Sequence, residues 1–245
     1  MQDAAIVPEG LSQAERLVDT FVAPTKTFTD VLRSTSWWLP FVFMILVGIL
    51  FSTAIDKKVG FDQVTQHEIE KNPKTVEQMQ SLSPQDRAAR MAMSAKITKI
   101  ITYAYAIPIL IVASLVSLVL WASFNFGLGA RTTFGQMFAV WMYAALPKSV
   151  MAILAAVLLF ANVNTENFDI RNPAGTNLAY YMPDASAGLK AALSFFDLFG
   201  LWSLALLVIG TSIVARKSKT QAAVVVVGWW LLILLVSAGF AAATS

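Results

Sequence analysis

The sequence has no cysteine and a single histidine, His67. The first absence excludes disulfides, thiol nucleophiles, zinc ribbons and cysteine-held iron–sulfur clusters, and the second removes most imidazole-based metal and acid–base chemistry. Charge is scarce as well. Asp, Glu, Lys and Arg make up 13% of the 245 residues, where a soluble globular domain carries about 25%. Too little polar material remains to cover a water-facing surface. With 57% hydrophobic residues and a mean hydropathy of +0.63, the composition is that of a membrane protein. The 18 basic and 15 acidic residues are spread along the chain and leave a net charge of only +3, so neither disorder nor nucleic-acid binding is its theme.

What the sequence does have is long apolar runs. Residues 37–55 contain no charge, and at the helical rise such a run reaches about 28 Å, close to the ~30 Å of a hydrocarbon core. Four more runs follow at 100–126, 134–160, 195–215 and 222–242. The third is interrupted only by Lys148 and the fourth contains Asp197. In lipid each backbone polar group must be satisfied within its own segment, so the runs are read as helices. The expected fold is all-α, a polytopic integral membrane protein with five transmembrane helices in a domain over 37–245 and polar loops at 56–99 and 161–194. The first run is read as a retained span rather than a cleaved signal, because 36 residues holding five acidic side chains precede it whereas a signal peptide has a short basic start, although Ser52 and Ala54 faintly resemble a cleavage site.

The N-terminal segment, 1–36, carries an amphipathic helix. Pro24 suits a first turn, and Phe28, Val31 and Leu32 recur at helical spacing opposite Lys26, Thr29, Asp30 and Arg33. Trp37 and Trp38 follow where indoles favour the headgroup zone, so Lys26, Arg33, Trp37 and Trp38 are the expected interfacial anchors. Such a helix lies on the membrane surface or packs against the spans from below. Within the first polar loop, Asn72 before Pro73 and Ser83 before Pro84 offer N-caps with proline at the first helical position. The second predicts a long helix running from Pro84 through Arg87, Arg90, Lys96 and Lys99 into the second span, kinked where Pro108 frees the carbonyl of Ala104. The loop 161–194 is rich in Asn, Gly and Pro and reads as turns, with an apolar piece at 178–182 too short to cross.

Arg216, Lys217 and Lys219 crowd the short connection between the last two spans, while the tail beyond has no charge. The positive-inside bias of short loops then places the N-terminus in the cytoplasm and the C-terminus outside.

Lys148 is the most unusual residue, a mid-span cation directly after Pro147, where such a charge costs about 2.5–3.5 kcal/mol on an insertion scale. It needs a partner. The carbonyl of Tyr143, freed by Pro147, is one acceptor, and Asp197 is the one acidic side chain within the five runs. Lys148, Pro147, Tyr143 and Asp197 are therefore the candidate intramembrane polar network, serving either a polar path or helix packing. His67, Glu68 and Glu70 superficially resemble a metal cluster, but a zincin needs a second histidine at the position that Lys71 occupies. There is no nucleophile with its base, no phosphate loop and no carboxylate pair. The expectation is a protein with no catalytic residues, no metal and no cofactor. Gly127, Gly129, Gly135, Gly210 and Gly228 allow close helix approach.

Several stretches then carry a resemblance: Arg16-Leu17-Val18, the run from Ala23 to Phe28, Ser36-Trp37-Trp38-Leu39-Pro40, residues 133–147 and residues 197–223. In that order they are similar to bacterial members of the YIP family, whose Yip-one domain is named for interaction with Ypt and Rab GTPases. The resemblance covers nearly the whole chain. It implies a five-helix membrane domain with a cytoplasmic N-terminus, located in the bacterial inner membrane. For eukaryotic relatives it implies roles in vesicle traffic and organelle shape through GTPase and partner-protein binding. The expected function is a non-enzymatic, membrane-embedded partner-binding or membrane-organising protein, with the lipid bilayer, other membrane proteins or a second copy as partners. The alternative is a subunit of a small-solute or ion transporter or channel built around Lys148.

Overall fold

Every regular element among the described residues is helical in the computed structural model, which describes residues 10–163 and 165–244. Residues 1–9 of the N-terminal segment, Asn164 of the second polar loop and Ser245 of the membrane domain lie outside these. Helix α1 (Gln13–Val22) begins with a reciprocal cap: the Ser12 hydroxyl accepts from the Glu15 amide at 3.2 Å, and the Glu15 carboxylate accepts from the Ser12 amide at 2.7 Å. Held by that amide and the hydroxyl, the Glu15 carboxyl titrates below its ordinary value. After a one-residue break at Ala23 comes α2 (Pro24–Val31), with its proline in the first turn.

Helix α3 (Trp38–Lys58) is the first long apolar element. The polar loop after it is helical as well: α4 (Phe61–Glu70), α5 (Pro73–Gln80) and α6 (Pro84–Tyr103). The Asn72 side chain caps α5 through the Thr75 amide, and the Ser83 hydroxyl caps α6 through the Asp86 amide. The helix expected to run from Pro84 into the second span is interrupted at Ala104 and Tyr105, four residues before Pro108, and resumes as α7 (Ala106–Ala122). Pro108 has no amide for the Ala104 carbonyl, which instead accepts from Ile107 at 3.0 Å.

A single π-type turn (Ser123–Gly127) extends α7, and α8 (Phe134–Ala144) and α9 (Leu146–Phe160) form the next span, broken at Ala145. The loop after α9 holds a 3₁₀ turn (Leu178–Tyr181) and α10 (Ala187–Ser194), where the sequence pattern predicts only turns. Two helices close the chain, α11 (Leu198–Val214) and α12 (Lys219–Thr244).

Four of these elements are long and apolar enough to cross a membrane: Trp38–Lys58, Ala106–Gly127, Phe134–Phe160 and Lys219–Thr244. The run at 195–215 yields α11, apolar but only 17 residues long, or about 26 Å by the helical rise. The second span starts at Ala106 rather than at 100, because the helical break falls between.

Half of the most apolar window of Phe134–Phe160 is buried, against 11% of that of α12. The α8–α9 span is thus the centre, touching α3, α7 and α11, while α12 lies at the periphery against α10 and α11. Its large exposed side chains, such as Val224, Leu235 and Phe240, present an apolar face to lipid. A hydrogen bond from the Trp229 indole to the Ser123 hydroxyl ties it to the end of α7. The larger buried cluster joins Phe28, Met44, Met137, Val140, Tyr143 and Leu206, and a second, around Ile55, Phe61, Ala156 and Phe168, sits where α3 and α9 meet α4 and the loop that follows α9.

The N-terminal helices pack against the bundle. Phe28 and Val31 are fully buried beside α11 and α8, whereas Leu32, third in the apolar stripe, remains exposed. Trp37 sets its ring edgewise against Phe41 and Phe138, and Trp38 is 54% exposed. Lys26 is exposed, and Arg33 bends back to the Asp30 carboxylate and the Leu11 carbonyl.

Candidate functional site

Pro147 organises the centre of the third span. Without its amide the Tyr143 carbonyl loses its helical donor, α8 stops at Ala144, and the Lys148 amide turns back to the Ala145 carbonyl at 3.1 Å. The break directs Lys148 into a cavity of about 420 Å³, which is also lined by Asp197, Ser203, Trp141, Trp230 and Asn177. Lys148 is exposed to this space, although it stands near the middle of Phe134–Phe160. Among the described residues its ammonium has no hydrogen bond and no carboxylate within 4.0 Å.

Asp197 lines the same cavity at the start of α11, which is tied to the loop after α9. Residues 176–178 pair with 196–198: the Leu198 amide donates to the Thr176 carbonyl at 3.1 Å and the Leu178 amide to that of Phe196 at 3.3 Å. The carboxylate is already engaged. Asp197 caps α11 by accepting from the Gly200 amide at 2.7 Å, and its other oxygen accepts from the Thr176 hydroxyl. Lys148 and Asp197 therefore share one cavity without a direct contact. The Ser203 hydroxyl in its wall is buried and has no hydrogen-bond partner among the described residues. Replacing Asp197 by alanine is expected to cost about 0.5–2 kcal/mol through the lost cap, whereas asparagine, which keeps an acceptor, retains most of it. Thermal unfolding of the detergent-solubilised variants measures the difference.

The wall formed by the loop after α9 is fastened from α4. The Gln63 amide donates to the carbonyls of Thr165 and Glu166, and the His67 ring meets the carbonyl of Phe168 at 3.2 Å. Glu68 pairs with Lys71 and Arg171, and Lys71 also with Asp169. His67 and Glu68 thus hold a loop, and among the described residues no group of three metal-ligating side chains occurs. Arg171 and Asn172 are brought to the cavity lining. The Asn172 amide donates to the buried Asn177 side chain at 3.2 Å.

Tyr143, the third candidate, turns away from Lys148. Its hydroxyl is 3.1 Å from both the Gln13 side chain and the Ser36 carbonyl, linking the broken span to the N-terminal helices. There it meets a charge network whose role the sequence pattern does not disclose. Arg16 is fully buried; it donates to the Asp30 carboxylate at 2.6 Å and to the carbonyls of Ser34, Asp30 and Ser36. Its own carbonyl accepts from the hydroxyls of Thr20 and Thr27. Burial raises the Asp30 carboxyl, but hydrogen bonds from Arg33 and Arg16 outweigh that and hold it below its ordinary value. The spacing Gln13, Arg16, Leu17, Thr20 along one helical face is the signal that marks this side of α1 as inward.

No curated protein and no solved structure matches the chain. A family model does, described as the Yip1 domain, and it aligns with residues 18–240, a stretch that runs from α1 through the Lys148 cavity to α12. The chain belongs to the Yip1 domain family.

Proposed function

We propose that the protein is a five-helix membrane protein that works by binding rather than catalysis, and that the Lys148 cavity receives an anionic group of a partner held within the bilayer. The observation that carries this reading is the ammonium of Lys148, which among the described residues makes no hydrogen bond or ion pair, in a cavity where the nearby carboxylate of Asp197 is held by the Gly200 amide and the Thr176 hydroxyl instead of by Lys148. An intramembrane cation is costly and calls for a counter-charge, which a partner supplies here. Four spans, with α11 as the fifth, leave the N-terminal helices in the cytoplasm and the C-terminus outside, in keeping with Arg131, Arg216, Lys217 and Lys219 on the N-terminal side. The exposed face of α12 offers a second copy or another membrane protein a surface to pack on.

A transport reading has one observation in its favour. The break at Ala145 and the start of α11 at Asp197 place two helix ends at a polar cavity, as discontinuous helices do in transporters. One experiment separates the two. A photo-crosslinking residue at Met151, which lines the cavity, is expected to capture a membrane protein or a second copy in native membranes, and Lys148→Met is expected to abolish the adduct. An absence of adducts, together with Lys148-dependent solute flux in proteoliposomes, would favour transport instead.

A further inference from the structure

A second cavity, of about 440 Å³, opens at the N-terminal end of the third span, between the start of α8 and the end of α11. Arg131, Arg216 and Lys217 line it together with Gln136, Leu32 and Val214, and no carboxylate does. Among the described residues none of the three cations has an ion pair or a side-chain hydrogen bond. The Gln136 side-chain oxygen accepts from the Thr133 amide at 2.9 Å, and among the described residues its amide protons have no acceptor. Asp30, the nearest acid in the chain to Leu32, is occupied by Arg16 and Arg33. Four donor groups therefore converge on a space that contains no acceptor of matching charge.

The backbone of Arg216 is the second, independent observation. Helix α11 ends in a complete Schellman closure, with the Lys217 amide on the Ser212 carbonyl at 3.0 Å and the Arg216 amide on that of Ile213 at 3.1 Å. The closure puts Arg216 at φ 51°, the left-handed position that glycine normally fills. An arginine is held there against its backbone preference, with its side chain at the cavity.

We propose that this cavity binds the phosphate of an anionic phospholipid headgroup in the leaflet on the N-terminal side. Phosphate chemistry matches the guanidinium and ammonium donors. A lipid rather than a free ion matches the position, at the end of the apolar helix α11, and the apolar side chains of Leu32 and Val214 beside the cations.

The test uses the full chain in an uncharged detergent and follows thermal unfolding with short-chain phosphatidylglycerol, short-chain phosphatidylcholine or inorganic phosphate at matched concentrations. Phosphatidylglycerol is expected to raise the midpoint saturably, with little response to the other two. Arg131→Gln with Lys217→Gln is expected to raise the half-saturating lipid concentration by about tenfold or more. Arg216→Gly is expected to weaken the lipid response while leaving the lipid-free midpoint unchanged or higher, since glycine suits the left-handed position, so this variant separates binding from folding. Equal responses to both lipids, or an undiminished response in Arg216→Gly, would overturn the proposal. A response to inorganic phosphate matching that to phosphatidylglycerol would identify a free-ion site and overturn the lipid assignment.

Discussion

Replacing Asp30 by alanine is expected to destabilise the detergent-solubilised protein by about 3–5 kcal/mol, the range for breaking a buried ion pair from one side. The loss is that large because the carboxylate serves two guanidinium groups, and one of them, Arg16, is wholly buried and has no route to solvent. Arg16→Met strands less. Asp30 keeps its bonds to Arg33 at 2.8 and 3.1 Å, and the Ser36 carbonyl keeps the Tyr143 hydroxyl. Arg33→Gln removes a side chain that is 55% exposed and is expected to cost less than about 1 kcal/mol. Removing Arg16 and Asp30 together is expected to cost less than the sum of the two single losses, since neither charge is left behind. The pH dependence follows from the depressed Asp30 carboxyl: its contribution is present above the ordinary carboxylate value of about 4 and is lost as pH falls through the lower folded-state value. Thermal scans between neutral pH and about pH 3 check both the sign and the window. A flat profile in which Asp30→Ala matches the parent would show that the network holds nothing together.

The long spans are legible in the sequence because burial in lipid is a matter of composition over some twenty residues, and no distant partner is needed to specify it. The starts of α5 and α6 are legible for a similar reason. Asn72 with Pro73 and Ser83 with Pro84 act within a single turn, and the structure shows both caps made. Three features depend on distant residues and escape local reading. Arg16 is inward-facing because Asp30, fourteen residues on, and the carbonyls of Ser34 and Ser36 receive it. Leu32 belongs to an apolar stripe but is left exposed, because α2 ends at Val31 and the faces of α11 and α8 cover Phe28 and Val31 without reaching the cap position. By helical rise alone, Lys148 and Asp197 sit at different depths, about 18 Å apart along the third span. In the structure they line one cavity, with the start of α11 paired to residues 176–178, and no periodicity encodes that pairing. A charge that is unusual for its position is thus visible in sequence, whereas what surrounds it depends on the fold.

Placing a bulkier residue at Gly210 is the second substitution with a large expected effect, and its mechanism is steric. A Cβ there would stand 2.6 Å from Val140 and 2.9 Å from the Phe28 ring, far inside contact distance. Within a bilayer the attraction between helices comes from close packing rather than from water exclusion, so a lost fit between α11 and α8 is not offset by burial elsewhere. Gly210→Ala is expected to cost about 1–3 kcal/mol, as overpacking of a filled core does, and Gly210→Leu more than that. The damage is expected to extend past α11. Phe28 is one of the fully buried residues that seat α2, and α2 carries Asp30, so a displaced Phe28 is expected to loosen the Arg16 network as well. The decisive measurement is a compensating pair. Val140→Ala alone opens a cavity and destabilises, but combined with Gly210→Ala it vacates the place where the new Cβ points. The double variant is therefore expected to be more stable than the Gly210→Ala single, with a favourable coupling of about 0.5–3 kcal/mol. Proteolysis at the N-terminal helices should follow the same order, fast in Gly210→Ala and slowed again in the pair. Additive losses in unfolding midpoint across the cycle would show that Gly210 is tolerated for its backbone and not for the space it leaves to Val140 and Phe28.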